Sequence, residues 1–314
     1  MTSLESVPKD HRSGFVALIG RPNVGKSTLV NQVVGKKIAI TSSVAQTTRN
    51  RLKAILTTAN AQLIILDTPG IHKPHHLLGE RLVQSARNSI GEVDVVIVLF
   101  DLSASPGRGD AFIVDLLRQQ KIPVIVALNK CDMLLKKHVE ERISEYKSFL
   151  DHTSWPIKLC SAINGEGCEV LIDEVINFLP VGPQLYPPTM VSDQPEIILL
   201  SELIREQVLL NTHEEVPHSV AVQIDRIDEI PLKGKKSVDK FRTAILATVL
   251  VERKSQKGIL IGKGGNMLKI IGIGARQQIQ KLINGKVYLE LFVKVVPNWR
   301  SKPARLAELG YEGN

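Results

Sequence analysis

Eight residues near the start of the chain have the types and spacing of a phosphate-binding loop. They run Gly-Arg-Pro-Asn-Val-Gly-Lys-Ser and fit the pattern G-x-x-x-x-G-K-S. Glycines let backbone N–H groups turn toward an anion, Lys26 can reach the β- and γ-phosphates of a nucleotide, and the Ser27 hydroxyl can bind Mg²⁺. An ordinary glycine turn before a helix is the alternative. The stretch predicts a nucleoside triphosphate site with these contacts: Gly20, Arg21, Pro22, Asn23, Val24, Gly25, Lys26, Ser27 and Thr28.

A second polar motif, Asp-Thr-Pro-Gly at residues 67–70, follows the apolar run at 63–66. An aspartate at a strand end can hold Mg²⁺, and a glycine lets its backbone N–H approach a γ-phosphate. Alone this pattern is a common turn, but its position after an apolar run and downstream of the first motif favours a nucleotide site. It predicts four more nucleotide contacts: Asp67, Thr68, Pro69 and Gly70.

A third motif, Asn-Lys-Cys-Asp at residues 129–132, follows the apolar run at 124–128. The Asp132 carboxylate can accept from both N1–H and the 2-amino group of guanine, a donor pair that adenine lacks, so this residue selects GTP over ATP. A surface turn is the alternative, since Asn and Asp are frequent in turns. After the weaker run at 157–160, two backbone N–H groups are placed to touch guanine O6. The predicted base contacts are Asn129, Lys130, Cys131, Asp132, Ser161 and Ala162.

Two threonines lie in a polar stretch between the first predicted helix and the second predicted strand. A threonine there can bind Mg²⁺ while GTP is present and release it after hydrolysis, which is the order–disorder switch of GTPases. We prefer Thr48 over Thr47, and a loop without a ligand role is the alternative for either. The predicted metal ligands are Ser27, Thr48 and Asp67, and the predicted catalytic residues are Lys26, Thr48 and Gly70.

The residue after Gly70 is Ile71, which we include among the nucleotide contacts. Ras-like GTPases place a glutamine there to orient the attacking water, and isoleucine cannot do this. Either other groups orient the water, or hydrolysis is slow until a partner completes the site. Three histidines follow, His72, His75 and His76, for which water orientation and metal binding are alternatives to the favoured interpretation, a mobile polar loop.

The elements that must position these residues follow from the apolar pattern. Apolar runs alternate with amphipathic stretches through the first half, which predicts an α/β domain with a mainly parallel sheet and helices on both faces. Ligands of such sheets bind beyond the carboxyl ends of the strands, where each motif above falls. Clustered prolines then predict a semi-rigid, extended linker, and later strand and helix patterns predict an α+β domain. The predicted boundaries are 1–180, linker 181–195, second domain 196–300 and C-terminal tail with a helix 301–314.

Composition is that of a globular protein long enough for two domains, with 314 residues, 43% hydrophobic and 23% charged. No apolar run reaches membrane-spanning length, the first ten residues lack the apolar core of a secretory signal, and the three cysteines form no C-x-x-C pair. We therefore expect a cytoplasmic protein with reduced thiols. The net charge of +8 lies mainly in residues 196–314, where 19 Lys and Arg face 13 Asp and Glu. This predicts a polyanionic partner, either a nucleic acid or an acidic membrane surface, and charge alone does not decide between them.

A glycine-rich loop, Gly-Lys-Gly-Gly at residues 262–265, is the chemical feature of the second half. It has the form G-x-x-G, with which KH domains clamp a nucleic-acid backbone, and a helical pattern over 266–283 follows it. A glycine-capped helix in a fold that binds no nucleic acid is the alternative. The predicted RNA contacts are Gly262, Lys263, Gly264, Gly265, Lys269 and Arg276.

From residue 13 to residue 311 the chain resembles the Era family of GTPases, within the group that includes the TrmE and EngA proteins. The resemblance rests on the nucleotide motifs, on Gln-Thr-Thr-Arg at 46–49, on the G-x-x-G loop and on Leu-Gly-Tyr at 309–311. One departure is Ala45, where many relatives carry proline, and we expect it to affect only the stiffness of its segment. A tRNA-modifying enzyme of the TrmE type is disfavoured, because its C-terminal cysteine has no counterpart here.

The resemblance implies a P-loop GTPase domain followed by a type II KH domain, working with GTP, GDP and Mg²⁺. It implies binding to 16S rRNA near its 3′ end during assembly of the small ribosomal subunit, by a mostly monomeric protein, with peripheral association with the inner membrane as an additional option. In relatives an asparagine at the position of Asn23 helps to bind K⁺, which makes K⁺ a further candidate cofactor. The alternative is a non-hydrolysing RNA-binding scaffold with GTP as a structural ligand, which Ile71 keeps open.

Overall fold

Two sheets, of six and three strands, organise the chain. The computed structural model describes residues 8, 10–42, 44, 47–48, 52–70, 80, 84, 88, 90–231 and 241–311. Ala45, Gln46, Arg49, Ile71 and the three histidines lie outside the described residues, so the predictions made for them stay predictions.

The first sheet has the strand order β2-β3-β1-β4-β5-β6. Every neighbouring pair is parallel except β2 and β3. The carboxyl ends of β1, β3 and β5 therefore share one edge, and the three nucleotide motifs follow those ends. The bounds are β1 Arg12–Gly20, β2 Leu52–Thr57, β3 Ala61–Asp67, β4 Val95–Asp101, β5 Val124–Asn129 and β6 Ile157–Leu159.

The helices whose full bounds fall within the described residues pack on the two faces of this sheet, namely α1 Lys26–Val34, α2 Arg108–Arg118, α3 Lys136–Phe149 and α4 Cys168–Phe178. Alternate residues of β1 face opposite ways, as strand geometry requires. Leu18 belongs to the core shared with α1 and α4, whereas Ile19 belongs to the core shared with α2 and α3. The prediction of a mainly parallel sheet with helices on both faces is confirmed.

The edge strand β2 was not anticipated, because its residues lie in a stretch interpreted as a polar loop. Its pairing with β3 is antiparallel, and the proline-rich segment lies beside it, with an antiparallel bridge between Ala54 and Ser192. The Ile55 N–H donates to the Val191 carbonyl at 2.9 Å, and the Ser192 hydroxyl donates to the Lys53 carbonyl at 2.9 Å. The Gln62 side chain also holds the backbone of Tyr186. Residues 181–195 are thus fastened along the first domain over much of their length.

The second sheet comprises β7 Ala221–Pro231, β8 Phe241–Val251 and β9 Val287–Val295, with β7 and β8 antiparallel and β8 and β9 parallel. Around it lie α5 Glu196–Asn211, α6 Lys254–Ile261, α7 Asn266–Ile283 and α8 Pro303–Glu308. The element order α5-β7-β8-α6-α7-β9, with one parallel and one antiparallel pairing, agrees with the predicted type II KH domain.

The C-terminal tail, which we predicted as a separate part, packs on this second sheet. Trp299, Leu306 and Tyr311 form one buried cluster with Ala221 and Leu250. The indole N–H of Trp299 donates to a backbone carbonyl at 2.9 Å, which satisfies its polar atom in the core. Among the helices that the structure describes, none is long and apolar enough to cross a membrane.

Candidate functional site

The phosphate-binding loop lies between the end of β1 and the start of α1. Asn23 and Gly25 adopt left-handed backbone conformations, with φ of 65° and 102°. Such reversals turn successive N–H groups toward a common centre, which suits an anion. Gly25 cannot be replaced without strain, because a Cβ there would lie 2.2 Å from Nδ2 of Asn129. The helix that follows adds the partial positive charge of its N-terminus.

Lys26 is a buried cation at the base of this loop, with 6% of its surface exposed. Its Nζ donates to the carbonyls of Gly20 at 3.1 Å and Arg21 at 2.9 Å. Burial lowers the pKa of Lys26 from 10.5 to about 8, and the negative charge of Asp67 counteracts part of that effect. A buried ammonium held by neutral carbonyls gains most when an anion approaches, which is the property that a phosphate-binding lysine needs.

Three oxygen ligands predicted for Mg²⁺ meet beside Lys26. The Ser27 hydroxyl donates to Oδ2 of Asp67 at 2.7 Å, and the Ser27 and Thr48 hydroxyls lie 2.8 Å apart. Thr48 Oγ1 is 3.4 Å from the same carboxylate oxygen. Asp67 is fully buried, and its Oδ1 accepts no hydrogen bond from any residue that the structure describes. Hydroxyl and carboxylate oxygens with one orphaned buried atom fit a hard divalent cation.

Burial raises the pKa of Asp67, while the hydrogen bond from Ser27, the charge of Lys26 and the contact with Thr48 pull it in the opposite direction. The carboxylate is therefore costly to keep ionised by itself. A bound divalent cation would remove that cost, so the electrostatics of the cluster also fit the predicted metal.

Gly70 brings the second motif against the first. A Cβ at Gly70 would lie 2.6 Å from the backbone nitrogen of Pro22, so only glycine allows this approach. Thr68 fixes the strand end by donating from its hydroxyl to the Leu18 carbonyl at 2.6 Å. Between the motifs lies a cavity of about 260 Å³. Its lining residues from the predicted set are Pro22, Asn23, Gly25, Lys26, Ser27, Thr28, Thr48, Gly70 and Lys130.

Asn129 is a buried connector of loops. Its Nδ2 donates to the Val24 carbonyl at 2.7 Å, and its Oδ1 accepts from the Ala162 N–H at 2.9 Å. Both ends of the amide are thus engaged within the protein, and only 1% of the residue is exposed. Asn129 therefore holds the phosphate loop and the 161–162 loop in register, and a direct contact with the base stays a prediction.

Asp132 lies on the exposed side of the same motif and accepts from the Ser161 hydroxyl at 2.5 Å. Lys130, in a left-handed conformation with φ of 69°, pairs with Asp101 at 2.6 Å and lines the cavity. Cys131 is buried beneath the motif. Asp132 is the carboxylate of this group that faces outward, as the selection of guanine requires.

Two matching family models cover much of the chain: a 50S ribosome-binding GTPase over residues 15–130 and a KH domain over residues 215–300. The chain is 56% identical over 310 residues to the GTPase Era of Nostoc sp., which covers 98% of this chain and 92% of that one. It is 53% identical over 311 residues to the GTPase Era of Synechocystis sp., and the match covers 99% of this chain and 96% of that relative. The chain belongs to the Era family of GTPases.

Two solved Era structures share the fold. One is a complex with MgGDPNP and nucleotides 1506–1542 of 16S ribosomal RNA, with a TM-score of 0.89, 37% identity and coverage of 96% of this chain and 99% of that chain. The other is an Aquifex aeolicus Era variant bound to GDP and AlF4⁻, with a TM-score of 0.88, 37% identity and the same coverage. As a member of the Era family the chain is a GTP-hydrolysing enzyme, which sets aside the scaffold alternative.

Sequence reasoning missed the contacts that the second domain makes with the segment leading to Thr48. Arg205 and Glu206 of α5 reach Lys37, Thr41 and Thr47, and both of these α5 side chains are completely buried. The signal available in the sequence was the charged cluster within an otherwise apolar helix. A helical pattern alone does not show which element such charges will meet.

The G-x-x-G loop of this Era-family chain joins α6 to α7. Gly262, Gly264 and Gly265 have φ of 70°, 61° and 80°. A Cβ at Gly264 or Gly265 would have no described atom within 4 Å, so the backbone there is open to a ligand. Three of the predicted RNA contacts, Lys263, Lys269 and Arg276, are exposed along the same loop and helix.

Proposed function

We propose that this GTPase binds 16S rRNA near its 3′ end through its KH domain, and that the bound guanine nucleotide controls this binding during assembly of the small ribosomal subunit. Support comes from the Era relative solved with nucleotides 1506–1542 of 16S rRNA, which matches this chain along almost its whole length.

The open backbone at Gly264 and Gly265 is the observation that carries the RNA proposal. An RNA phosphate needs backbone N–H groups that it can approach without meeting a side chain, and it needs positive charge nearby. Lys263 and Lys269 supply that charge. Ile259 and Ile270, on the two flanking helices, are 49% and 46% exposed and offer apolar contacts to unstacked bases.

GTP and Mg²⁺ are the ligands that we assign to the first domain. Lys26 and the backbone of the phosphate loop would hold the β- and γ-phosphates, and Ser27, Thr48 and Asp67 would hold the metal. Mg²⁺ would neutralise charge on the phosphates as the bond to the leaving group breaks. Gly70 would place its backbone N–H near the γ-phosphate, and Asn23 is our candidate for a K⁺ ligand.

We also propose a cytoplasmic monomer, with RNA rather than an acidic membrane as its main polyanion. Positive charge alone would suffice to bind a broad acidic membrane surface. A loop of left-handed glycines instead lets backbone N–H groups approach a single phosphate closely. The peripheral membrane association considered above is then secondary.

Crosslinking to RNA in the presence of GTP or GDP tests the proposal, with wild type compared to Gly264→Asp. The variant should recover at least tenfold less RNA, because one added carboxylate repels phosphates at the point of closest approach. Gly310→Asp is the matched control, since Gly310 is also left-handed with no described atom near a Cβ and lies in the tail that packs on the second sheet. Equal recovery from wild type and Gly264→Asp would exclude the 262–265 loop, and equal recovery with GTP and GDP would exclude nucleotide control.

A further inference from the structure

Helix α5 of the KH domain carries a buried charged cluster that ends on the segment before Thr48. Arg205 and Glu206 are both 0% exposed. Charged side chains are almost never fully buried unless they are paired, because removing them from water is costly. Glu202 on α5 and residues of the first domain together supply the partners that compensate for this burial, so the cluster joins the two domains.

Glu206 fixes the start of the segment. Its Oε1 accepts from the Thr41 N–H at 2.8 Å and lies 3.4 Å from the Thr41 hydroxyl. Its Oε2 pairs with Nζ of Lys37 at 2.6 Å. One carboxylate thus holds both the backbone and the side chains of the residues that follow α1.

Arg205 fixes the end of the segment. One arm of its guanidinium donates to the backbone carbonyl of Thr47, the residue next to Thr48. The same side chain pairs with Glu202 one turn earlier on α5. Its other terminal nitrogen, Nη1, has no hydrogen-bond partner among the described residues. The guanidinium is therefore oriented by Glu202 and aimed at Thr47.

Apolar packing joins the same two elements. Ile40, which is 5% exposed, belongs to the hydrophobic core of the KH domain together with Leu203 and Ile204 of α5. Val44 packs against that core as well. The segment between α1 and Thr48 is therefore anchored to the KH domain at both ends and in the middle.

We propose that Arg205 and Glu206 are positioning residues for GTP hydrolysis, acting from the KH domain by holding Thr41 and Thr47 so that the Thr48 hydroxyl reaches Ser27 and Asp67. Arg205 acts through the Thr47 carbonyl. Movement of Thr48 away from Ser27 would pull that carbonyl from Arg205, and displacement of α5 would move Thr48. Such coupling is reciprocal for binding free energies, so the KH domain and the triphosphate site each bias the other. The inference rests on the GTPase activity and not on the proposed RNA partner.

The test measures turnover and nucleotide affinity of the full chain with Arg205→Met. Methionine keeps much of the side-chain volume and removes the donors. We expect the preference for a GTP analogue over GDP in Mg²⁺ to fall by about tenfold or more, with a similar fall in kcat, because a hydrogen bond from a charged group is lost. The affinity for GDP should stay near that of the wild type.

Arg300→Met is the matched control. Arg300 also lies in the KH domain, pairs with a carboxylate, Glu252, and donates to a backbone carbonyl, that of His218. Both of these partners lie in the KH domain, so the loss of Arg300 should lower the melting temperature without changing the ratio of the affinities for the GTP analogue and for GDP. Arg205→Lys keeps the charge but lacks the two-armed fork, and it should restore part of the ratio and of kcat.

The ratio of the affinities for the GTP analogue and for GDP, together with kcat, decides the proposal. Unchanged ratios and kcat in Arg205→Met, or equal losses in Arg205→Met and Arg300→Met, would overturn it. If Arg205→Met does not fold, the decision falls to Arg205→Lys, whose ratio must lie below that of the wild type.

Discussion

Replacing Lys26 with methionine should change the pH dependence of stability in the nucleotide-free protein. The pKa of Lys26 is lowered from 10.5 to about 8 by burial, so the folded state releases its proton at lower pH than the unfolded chain does. Between those two pKa values the unfolded chain binds more protons, and the stability of the wild type therefore rises with pH. Below pH 8 the cost of the buried charge is present in full.

The size of the effect follows from the two pKa values. The lowered pKa of Lys26 decreases the free energy of unfolding by about 3 kcal/mol at pH 7 and by roughly 1.4 kcal/mol at pH 9.5. Methionine removes this cost but also removes the hydrogen bonds to the Gly20 and Arg21 carbonyls, each worth about 1 kcal/mol at either pH. The difference in unfolding free energy between Lys26→Met and wild type should therefore decrease by about 2 kcal/mol from pH 7 to pH 9.5.

Urea unfolding of the first domain, without nucleotide and with a chelator present, measures this difference at both pH values. Lys158→Met is the control, because Lys158 is a partly exposed lysine of the same domain, paired with Glu174 at 2.8 Å. The change in unfolding free energy caused by Lys158→Met at each pH gives the effect of losing a lysine that lies away from the nucleotide site. If Lys26→Met differs from wild type by the same amount at both pH values, the assigned cost of burying this cation is wrong. The variant should also lose the stabilisation that GTP gives the wild type.

Other substitutions test the remaining geometry. Gly167→Ala should lower the free energy of unfolding by about 3 kcal/mol or more beyond the effect of Gly35→Ala. Both glycines are left-handed, but only at Gly167 would a Cβ meet a backbone atom, 2.1 Å from the Leu159 carbonyl oxygen. Chemical denaturation of the two variants measures the difference. Asn129→Ala should lower GTP affinity by about a hundredfold because two loops lose their common hydrogen-bond partner, and an unchanged dissociation constant in a binding titration would contradict that role. Asp67→Asn should abolish the Mg²⁺ dependence of GTP binding while leaving the nucleotide-free protein at least as stable, because a buried carboxylate becomes neutral; calorimetric titration with and without Mg²⁺ measures the first effect and thermal unfolding the second.

Local motifs predicted the chemistry of the nucleotide site because each is short and complete within a few residues. The phosphate loop needs only its glycines, Lys26 and Ser27 between a strand and a helix, and the structure shows those elements directly before and after it. The predicted helix at 266–283 has the observed bounds, because a long amphipathic period and a preceding glycine define both ends. The predictions for Ile71 and the histidines stay open, since those residues lie outside the described part of the chain.

Strand β2 was missed although four of its six residues are apolar, because the run is short and its pairing depends on β3, which the local pattern does not show. The sequence predicts Asn129 as a base contact, and nothing local shows that its amide also reaches Val24, 105 positions earlier. Long-range hydrogen bonds of this kind appear only after the chain has folded.

The sequence by itself predicted which residues could hold a triphosphate, which carboxylate could select guanine and which loop could bind nucleic acid, because the atoms of each motif are neighbours along the chain. Only the tertiary structure decided that Arg205 meets Thr47, which lies 158 positions earlier in the chain. The packing of Ile40 in the core of the KH domain brings the two residues together. A guanidinium removed from water requires hydrogen-bond acceptors, which Glu202 on the same helix and the Thr47 carbonyl of the other domain supply.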